Sequence, residues 1–332
     1  MTLASCASTD TPSEGSGSSG SADYGDINIQ LSYIKNTEFA GEFLAIENGY
    51  FDDAGFGEVT TTAGGSSAVS AEAQVATGEA LIGISSPLIT APAVVQGAEI
   101  KIVGATYQKN PFDLVSTVAE PIDSPADLKG KTIAVSDFNS LVWQAFLAAN
   151  DLTTDDVTTV PYTNGPDQLA SGQVDGYNSY TTGFTGMVGT DDIPTQEFLL
   201  ADEGLPMVAE VLLASQDTID NHRDELEAAL TAIARGWNDA IADPANATTL
   251  TVEKYGKDQD FDYDSQFAAI SVQQTLMVTP DTDANGLLTI TDELVDQTVA
   301  GLQLADIDIT AEDLFDTSII DDVYEANPDL IK

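Results

Sequence analysis

The sequence predicts an α/β protein built on mostly parallel sheet with helices packed on both faces. Three observations carry this prediction. The segment Ile27-Asn28-Ile29-Gln30-Leu31-Ser32-Tyr33 alternates apolar and polar residues, the period of a half-buried strand. From Asn36 the period changes, and Phe39, Phe43, Ile46 and Tyr50 recur at helical spacing. The two textures then keep alternating, as they do where parallel strands are joined by crossover helices.

Taken in order, the first helix has Thr37 as a cap and Gly49 as a stop. Phe51–Gly57 turns the chain into a strand at Val59–Thr62. The turn Gly64-Gly65-Ser66-Ser67 leads into a small-residue helix through Val69, Ala73 and Ala76, ended by Gly78. Leu81-Ile82-Gly83-Ile84-Ser85-Ser86-Pro87 is a short buried strand that opens onto two hydroxyls and a proline. A helix over Thr90–Gln96 and a strand over Ile100–Ala105 complete a β-α-β-α-β-α-β series. Phe112–Val118 is an apolar extended run placed to carry the chain out of this unit.

A second unit opens at Ser124-Pro125-Ala126-Asp127-Leu128-Lys129-Gly130-Lys131 and enters a strand at Thr132–Val135. Its first helix carries Val142, Trp143, Phe146 and Leu147, and further strands follow at Val157–Val160, Val174–Tyr180 and Gln196–Leu200. A helix near Asp167–Ala170 separates two of them. Met207–Ala214 is apolar and uncharged except at Glu210, which suits a strand returning to the first unit. From Asp217 the texture is helical: Leu226, Leu230, Ile233 and Trp237 share one face before Pro244. Amphipathic segments follow over Ala245–Tyr255, Ser265–Leu276, Asp292–Leu302 and Ala311–Phe315.

Composition narrows the function. With 55 acidic residues against 10 Lys plus Arg, the net charge is -45. A field of that sign repels phosphate backbones and anionic lipid surfaces, which excludes a nucleic-acid binder. Adaptation to salt, where carboxylates hold water and cations at the surface, or lineage bias accounts for the acidity better than a functional acidic surface does. No run approaches the ~18–20 apolar residues needed to span a bilayer. One cysteine, Cys6, and one histidine, His222, leave little for a disulfide, a zinc site or a serine–histidine nucleophile. No cofactor and no metal are expected.

Leu3-Ala4-Ser5-Cys6 resembles the lipobox of bacterial and archaeal lipoproteins, in which the cysteine becomes acylated. Cys6 is either that lipidation residue or an incidental residue of a tail. Ala7–Asp23 is Ser, Gly, Thr, Asp and Glu with almost nothing apolar, the tether a membrane-anchored domain needs, and it favours the anchor.

Several segments together resemble type II solute-binding proteins of ABC transporters, in the group handling sulfonates, nitrate and thiamine pyrimidine precursors. They are Phe43-Leu44-Ala45-Ile46-Glu47-Asn48-Gly49-Tyr50-Phe51, Gly64-Gly65-Ser66, Gly78-Glu79-Ala80-Leu81-Ile82-Gly83, Asp127-Leu128-Lys129-Gly130-Lys131 and Gly172-Gln173-Val174-Asp175-Gly176. Each is weak alone; their shared order over Ile27–Tyr255 carries the resemblance. Gln108–Pro111 and Tyr177–Tyr180 are more similar to the thiamine-precursor and riboflavin branch. The resemblance implies a two-lobed type II periplasmic-binding-protein fold with ligand between the lobes. Residues 1–25 are then the start and tether, 26–114 with 207–332 a discontinuous first lobe, and 115–206 the second. It also implies an extracytoplasmic, monomeric protein whose partners are a small-molecule ligand, a membrane permease and, through Cys6, the membrane.

The candidate ligand residues stand at the carboxyl ends of strands, where ligands of such sheets bind. In the first lobe they are Tyr33, Phe39, Gly65, Ser66, Ser85, Ser86 and Gln108. Tyr33 either stacks on a planar ligand or is structural, and the spacing of Phe39 with Phe43 favours core packing. Gly65 and Ser66 would open a helix whose free N–H groups can hold an acceptor. In the second lobe they are Ser136, Asn139, Ser140, Tyr177, Asn178, Tyr180 and Glu203. The first three serve equally as helix caps, and Glu203 is placed either to pair with ring amines or to face solvent. Arg223 and Arg235, the only arginines, fall in the C-terminal helical region. The expected ligand is therefore a neutral or weakly cationic nitrogen heterocycle, with an alkanesulfonate or related small anion as the alternative. Thiamine-pyrimidine synthases share the implied fold, but that chemistry uses an active-site histidine and a cysteine-rich segment. A binding protein is expected, not an enzyme.

Overall fold

The computed structural model describes residues 22–65, 68–183 and 193–331. Among the described residues ten strands are defined: β1 (Gly25–Gln30), β2 (Phe56–Thr62), β3 (Ile82–Ser85), β4 (Ile100–Tyr107), β5 (Phe112–Thr117), β6 (Thr132–Val135), β7 (Thr158–Pro161), β8 (Gly176–Tyr180), β9 (Thr195–Leu199) and β10 (Ala209–Ser215). They form two five-stranded sheets, ordered β2-β1-β3-β10-β4 and β7-β6-β8-β5-β9, each flanked by helices. The molecule is thus a two-lobed α/β protein of the type the sequence predicts. In each sheet one strand runs against its neighbours: β10 is antiparallel to β3 and β4, and β5 to β8 and β9.

The inverted strands are the ones that follow a passage between lobes. Gln108–Pro111 leads from β4 to β5, and Leu200–Val208 leads from β9 to β10. Phe112–Val118, expected as the outgoing passage, is instead mostly β5, a strand bonded on both edges within the second sheet. Its burial explains this: Leu114 is fully buried, and a run so apolar finds a partner on either side. Every residue of β10 is buried, as befits an inner strand covered on both faces.

Elsewhere the pattern held with shifted ends. β1 starts two residues early, because Gly25 pairs with Phe56 at the start of β2. Tyr50–Ala54 is a short helix where a turn was expected. The helix expected through Val69 begins at Ala71, with the Ser70 hydroxyl accepting from Ala73 N at 3.3 Å. A C-terminal helix, Ser318–Ala326, was missed although its Ile319, Ile320 and Val323 are buried.

Two large apolar clusters hold the fold. One joins β1 and β3 to the helices Ala40–Glu47 and Arg223–Ala242 through Ile29, Phe39, Phe43, Leu230 and Trp237. Those helices cross closely because each offers a glycine: a Cβ at Gly236 would meet Ala45 N at 2.7 Å and press on the Gly41 carbonyl. The other cluster spans both lobes. It unites Ile100 and Ile102 of β4 with Trp143 and Phe146 of the second lobe and with Val295, Val299 and Leu302. The last three lie on the helix Asp292–Leu304, which packs on the second lobe's helix Ser140–Ala149.

Candidate ligand-binding site

The site is built where the carboxyl end of the first sheet meets Tyr180. After β1 the chain turns, and the Asn36 side chain accepts from Glu38 N at 2.8 Å, capping a short 3₁₀ turn, Thr37–Phe39. That turn feeds the helix Ala40–Glu47, so Glu38 and Glu42 lie one turn apart on one face. Glu210 arrives from β10, and Tyr107 from the end of β4. Glu210 adopts φ +46°, a left-handed conformation costly for a side-chain-bearing residue and held only where the surroundings enforce it.

These groups form one buried polar cluster, here called the chamber. Glu38, Glu42, Glu210 and Tyr107 are all buried, as are Asn36 and Gln273. The Ser32 hydroxyl donates to Glu210 Oε2 at 3.0 Å, and Trp237 Nε1 donates to Glu42 Oε1 at 3.2 Å. From the second lobe, the Tyr180 hydroxyl reaches Glu210 Oε1 at 3.2 Å and Glu38 Oε1 at 3.3 Å. Its ring packs edge-on against Phe112. Four buried polar atoms of the chamber have no hydrogen-bond partner: Asn36 Nδ2, Glu42 Oε2, Tyr107 OH and Gln273 Oε1.

The electrostatics follow from burial among like charges. Burial and the adjoining Glu210 carboxylate hold Glu38 well above the ordinary carboxyl range, so Glu38 keeps its proton and hydrogen-bonds to Glu210. Burial also raises Glu210, opposed by the hydrogen bonds from Glu38, Ser32 and Tyr180 that stabilise its charged form. Glu42 is pushed up to about 7, chiefly by burial. Burial and then the surrounding carboxylates raise the Tyr107 and Tyr180 phenols.

The second lobe presents a rim. Asn139 Nδ2 donates to Asn178 Oδ1 at 2.9 Å, tying the end of β6 to β8, and Asn178 Nδ2 donates to the Asp113 carbonyl at 2.9 Å. Asp113 is buried and raised well above the usual range, first by burial and then by Glu197. Phe138, in the turn after β6, is 83% exposed, and Tyr33 of the first lobe is 39% exposed.

The residues singled out from sequence fall into three groups. Tyr180 joins the chamber, and Asn139 and Asn178 join the rim. Ser136 accepts from Phe138 N at 3.4 Å and caps the turn, while Ser140 opens the helix that follows. The others are committed to the fold. Phe39 is fully buried in the core. Ser85 donates to Glu72 Oε1 at 2.5 Å, and Ser86 caps the helix Pro87–Val95. Gln108 Nε2 donates to the Ala105 carbonyl. Tyr177 points to the face opposite Asn178 and Tyr180, where it packs with Leu169 and Val174. Gly65 lies in a loop before Ala71 and so does not start the helix. Glu203 sits in a turn where its carbonyl accepts from Asn150. Ser66 and Cys6 lie outside the described residues.

Asn36, Glu38, Glu42, Tyr107, Glu210 and Gln273 were missed. One signal was visible: Glu210 is the single charge in an otherwise apolar strand, and a lone acid in a buried strand needs a partner or a purpose. Among the described residues no group of His, Cys, Asp and Glu is placed to hold a metal ion, and no helix is long and apolar enough to cross a membrane.

A family model described as NMT1/THI5 like matches residues 36–247. No curated protein matches the chain by sequence. Among solved structures, a protein of Bordetella bronchiseptica RB50 superposes with a TM-score of 0.65 at 18% identity, over 91% of this chain and 98% of its own. The periplasmic aliphatic sulphonate-binding protein SsuA of Escherichia coli gives 0.63 at 13% identity, over 85% of each chain. The desulfurization enzyme DSZB gives 0.54 at 16%, over 90% of this chain and 99% of its own. At such identities the likeness is one of fold.

Proposed function

The chain belongs to the NMT1/THI5-like family, and from that premise we propose that it is the extracytoplasmic solute-binding protein of an ABC importer, capturing a small nitrogen heterocycle between its lobes. One observation carries this: the Tyr180 hydroxyl of one lobe closes onto a buried chamber of the other that still holds unpartnered donors and acceptors. Two half-sites that close on a ligand need only a few hydrogen bonds and an aromatic or two; micromolar affinity corresponds to about 8 kcal/mol. The thiamine-precursor or riboflavin class fits a site of carboxyls, amides and phenols better than an anion does. Delivery to a permease, and anchoring through Cys6, complete the proposed role.

A second reading, capture of an alkanesulfonate, is supported by the fold shared with the Escherichia coli sulphonate-binding protein. The chamber argues against it, because a sulfonate would meet Glu210 and Glu38 with no guanidinium between them. Likeness to DSZB raises an enzyme reading, which a chamber lined by neither histidine nor cysteine does not favour.

A thermal-shift screen tests the proposal, setting thiamine, its pyrimidine precursors and riboflavin against taurine and other sulfonates, in high and low salt. A true ligand at a hundred times its Kd adds about 2.7 kcal/mol of stability. Stabilisation by sulfonates alone would overturn the heterocycle assignment, and turnover of any compound would overturn the binding-protein role.

A further inference from the structure

Resting on the solute-binding reading, we propose that the chamber of Glu38, Glu42 and Glu210 is a cation-recognition subsite, selecting a ligand with one positive charge beside N–H donors, of the amidinium, protonated-amine or quaternised amino-heterocycle class. Its polar atoms set the requirement. Gln273 Oε1 is a buried acceptor without a donor, Asn36 Nδ2 is a buried donor without an acceptor, and Glu42 Oε2 is an unpartnered atom that accepts when ionised and donates when protonated. Tyr107 OH, fully buried and unpartnered, serves in either sense. Unpaired buried polar atoms are costly, so a closed state that keeps them together is waiting for a partner that pairs them. A sulfonate offers acceptors only. It would satisfy Asn36 and Tyr107, leave Gln273 Oε1 orphaned, and face the Glu210 charge.

The charge requirement follows from the hydrogen bonds. Glu210 is the carboxylate of the set, accepting from Ser32, Tyr180 and the protonated Glu38. Glu38 and Glu42 face it from the helix side, Tyr107 from β4 and Tyr180 from the second lobe. Trp237 and Gln273, from the two C-terminal helices packed against the chamber, are uncharged. The chamber can therefore carry only negative charge, and Glu42 adds to it as it ionises about neutrality. One positive charge on the ligand matches it without moving any proton.

This gives each class of ligand its own sign of pH dependence. As pH falls the buried carboxyls take up protons, Glu42 about neutrality, the chamber loses negative charge, and cation affinity falls. An anion would bind more tightly in the same direction, and a neutral ligand would show no trend.

Calorimetry on the full chain with thiamine as cation, riboflavin as neutral probe and ethanesulfonate as anion, between about pH 5 and pH 8, reads this directly. Thiamine is expected to bind more tightly as pH rises. Glu210→Gln should weaken it about tenfold or more, whereas Glu38→Gln, which keeps a donor toward Glu210, should weaken it less, and Glu42→Gln should flatten the pH profile. Melting curves check that each variant folds, and the wild-type pH series needs no variant. Preferred binding of riboflavin with a flat profile, or of ethanesulfonate with affinity rising at acid pH, would overturn the cation subsite and leave the solute-binding role standing. Binding of none of the three would remove both.

Discussion

The Tyr180 hydroxyl of the second lobe stands 3.2 Å from Glu210 and 3.3 Å from Glu38 of the first. A phenol has one proton, and Glu210, the carboxylate of the pair, takes it. The bond joins two lobes that share no strand, so it acts as a latch. Tyr180→Phe should cost about 1–2 kcal/mol of stability, because it also strips a donor from a buried carboxylate. Small-angle scattering should show a larger radius of gyration for the ligand-free variant. An unchanged radius would mean that apolar contacts alone keep the lobes together.

Glu42 makes a second prediction, in the opposite direction from most buried-residue changes. Burial holds its carboxyl at about 7, above its unfolded value. Such a group contributes its full stability below the unfolded value and loses it as pH rises through the folded one. Glu42→Gln keeps an acceptor for Trp237 Nε1 and cannot ionise. It should raise stability at about pH 8 by up to roughly 3 kcal/mol and change little at about pH 4. Chemical denaturation at the two pH values measures this, and a loss at the higher one would refute it.

Gly236→Ala tests the helix crossing that supports the chamber. The added methyl would press on the Gly41 carbonyl and on Ala45, both backbone neighbours with nowhere to move. A loss of about 2–3 kcal/mol is expected, with weaker ligand binding because the helix carrying Glu42 must shift. Unaltered stability would show that the two helices can slide apart freely.

Ser85→Ala should separate fold from site at the edge of β3. Thr90 still donates to Glu72 Oε1 at 3.0 Å, so the loss should stay near 1 kcal/mol. Ligand affinity should hold. A marked drop in affinity would return Ser85 to the site.

Period and apolar runs were enough to read the fold because both report burial directly. β1, β3, β4 and β10 announced themselves that way, and the helix Ser318–Ala326 escaped only because its apolar face is short. The site was harder, since a polar residue at a strand end looks the same whether it meets a ligand or a neighbour. Ser85 and Gln108 met neighbours, and Tyr180 crossed to the other lobe. Glu38 and Glu42 were hidden for a different reason. In a chain with 55 acidic residues, no single glutamate stands out until burial is known. Glu210 alone carried a local mark, its charge within an apolar strand.

The packing of Asp292–Leu304 on Ser140–Ala149 bears on how the two lobes can part. Two crossover segments by themselves would leave a free hinge. Here the far end of the chain also rests on the second lobe, with Val295, Val299 and Leu302 in one apolar cluster with Trp143 and Phe146. Opening must therefore slide one helix over another, which makes the motion a shear as much as a bend. A tightly packed interface of this kind moves in small steps between discrete seatings. Any parting of the lobes is then geared to a helix that lies outside the chamber.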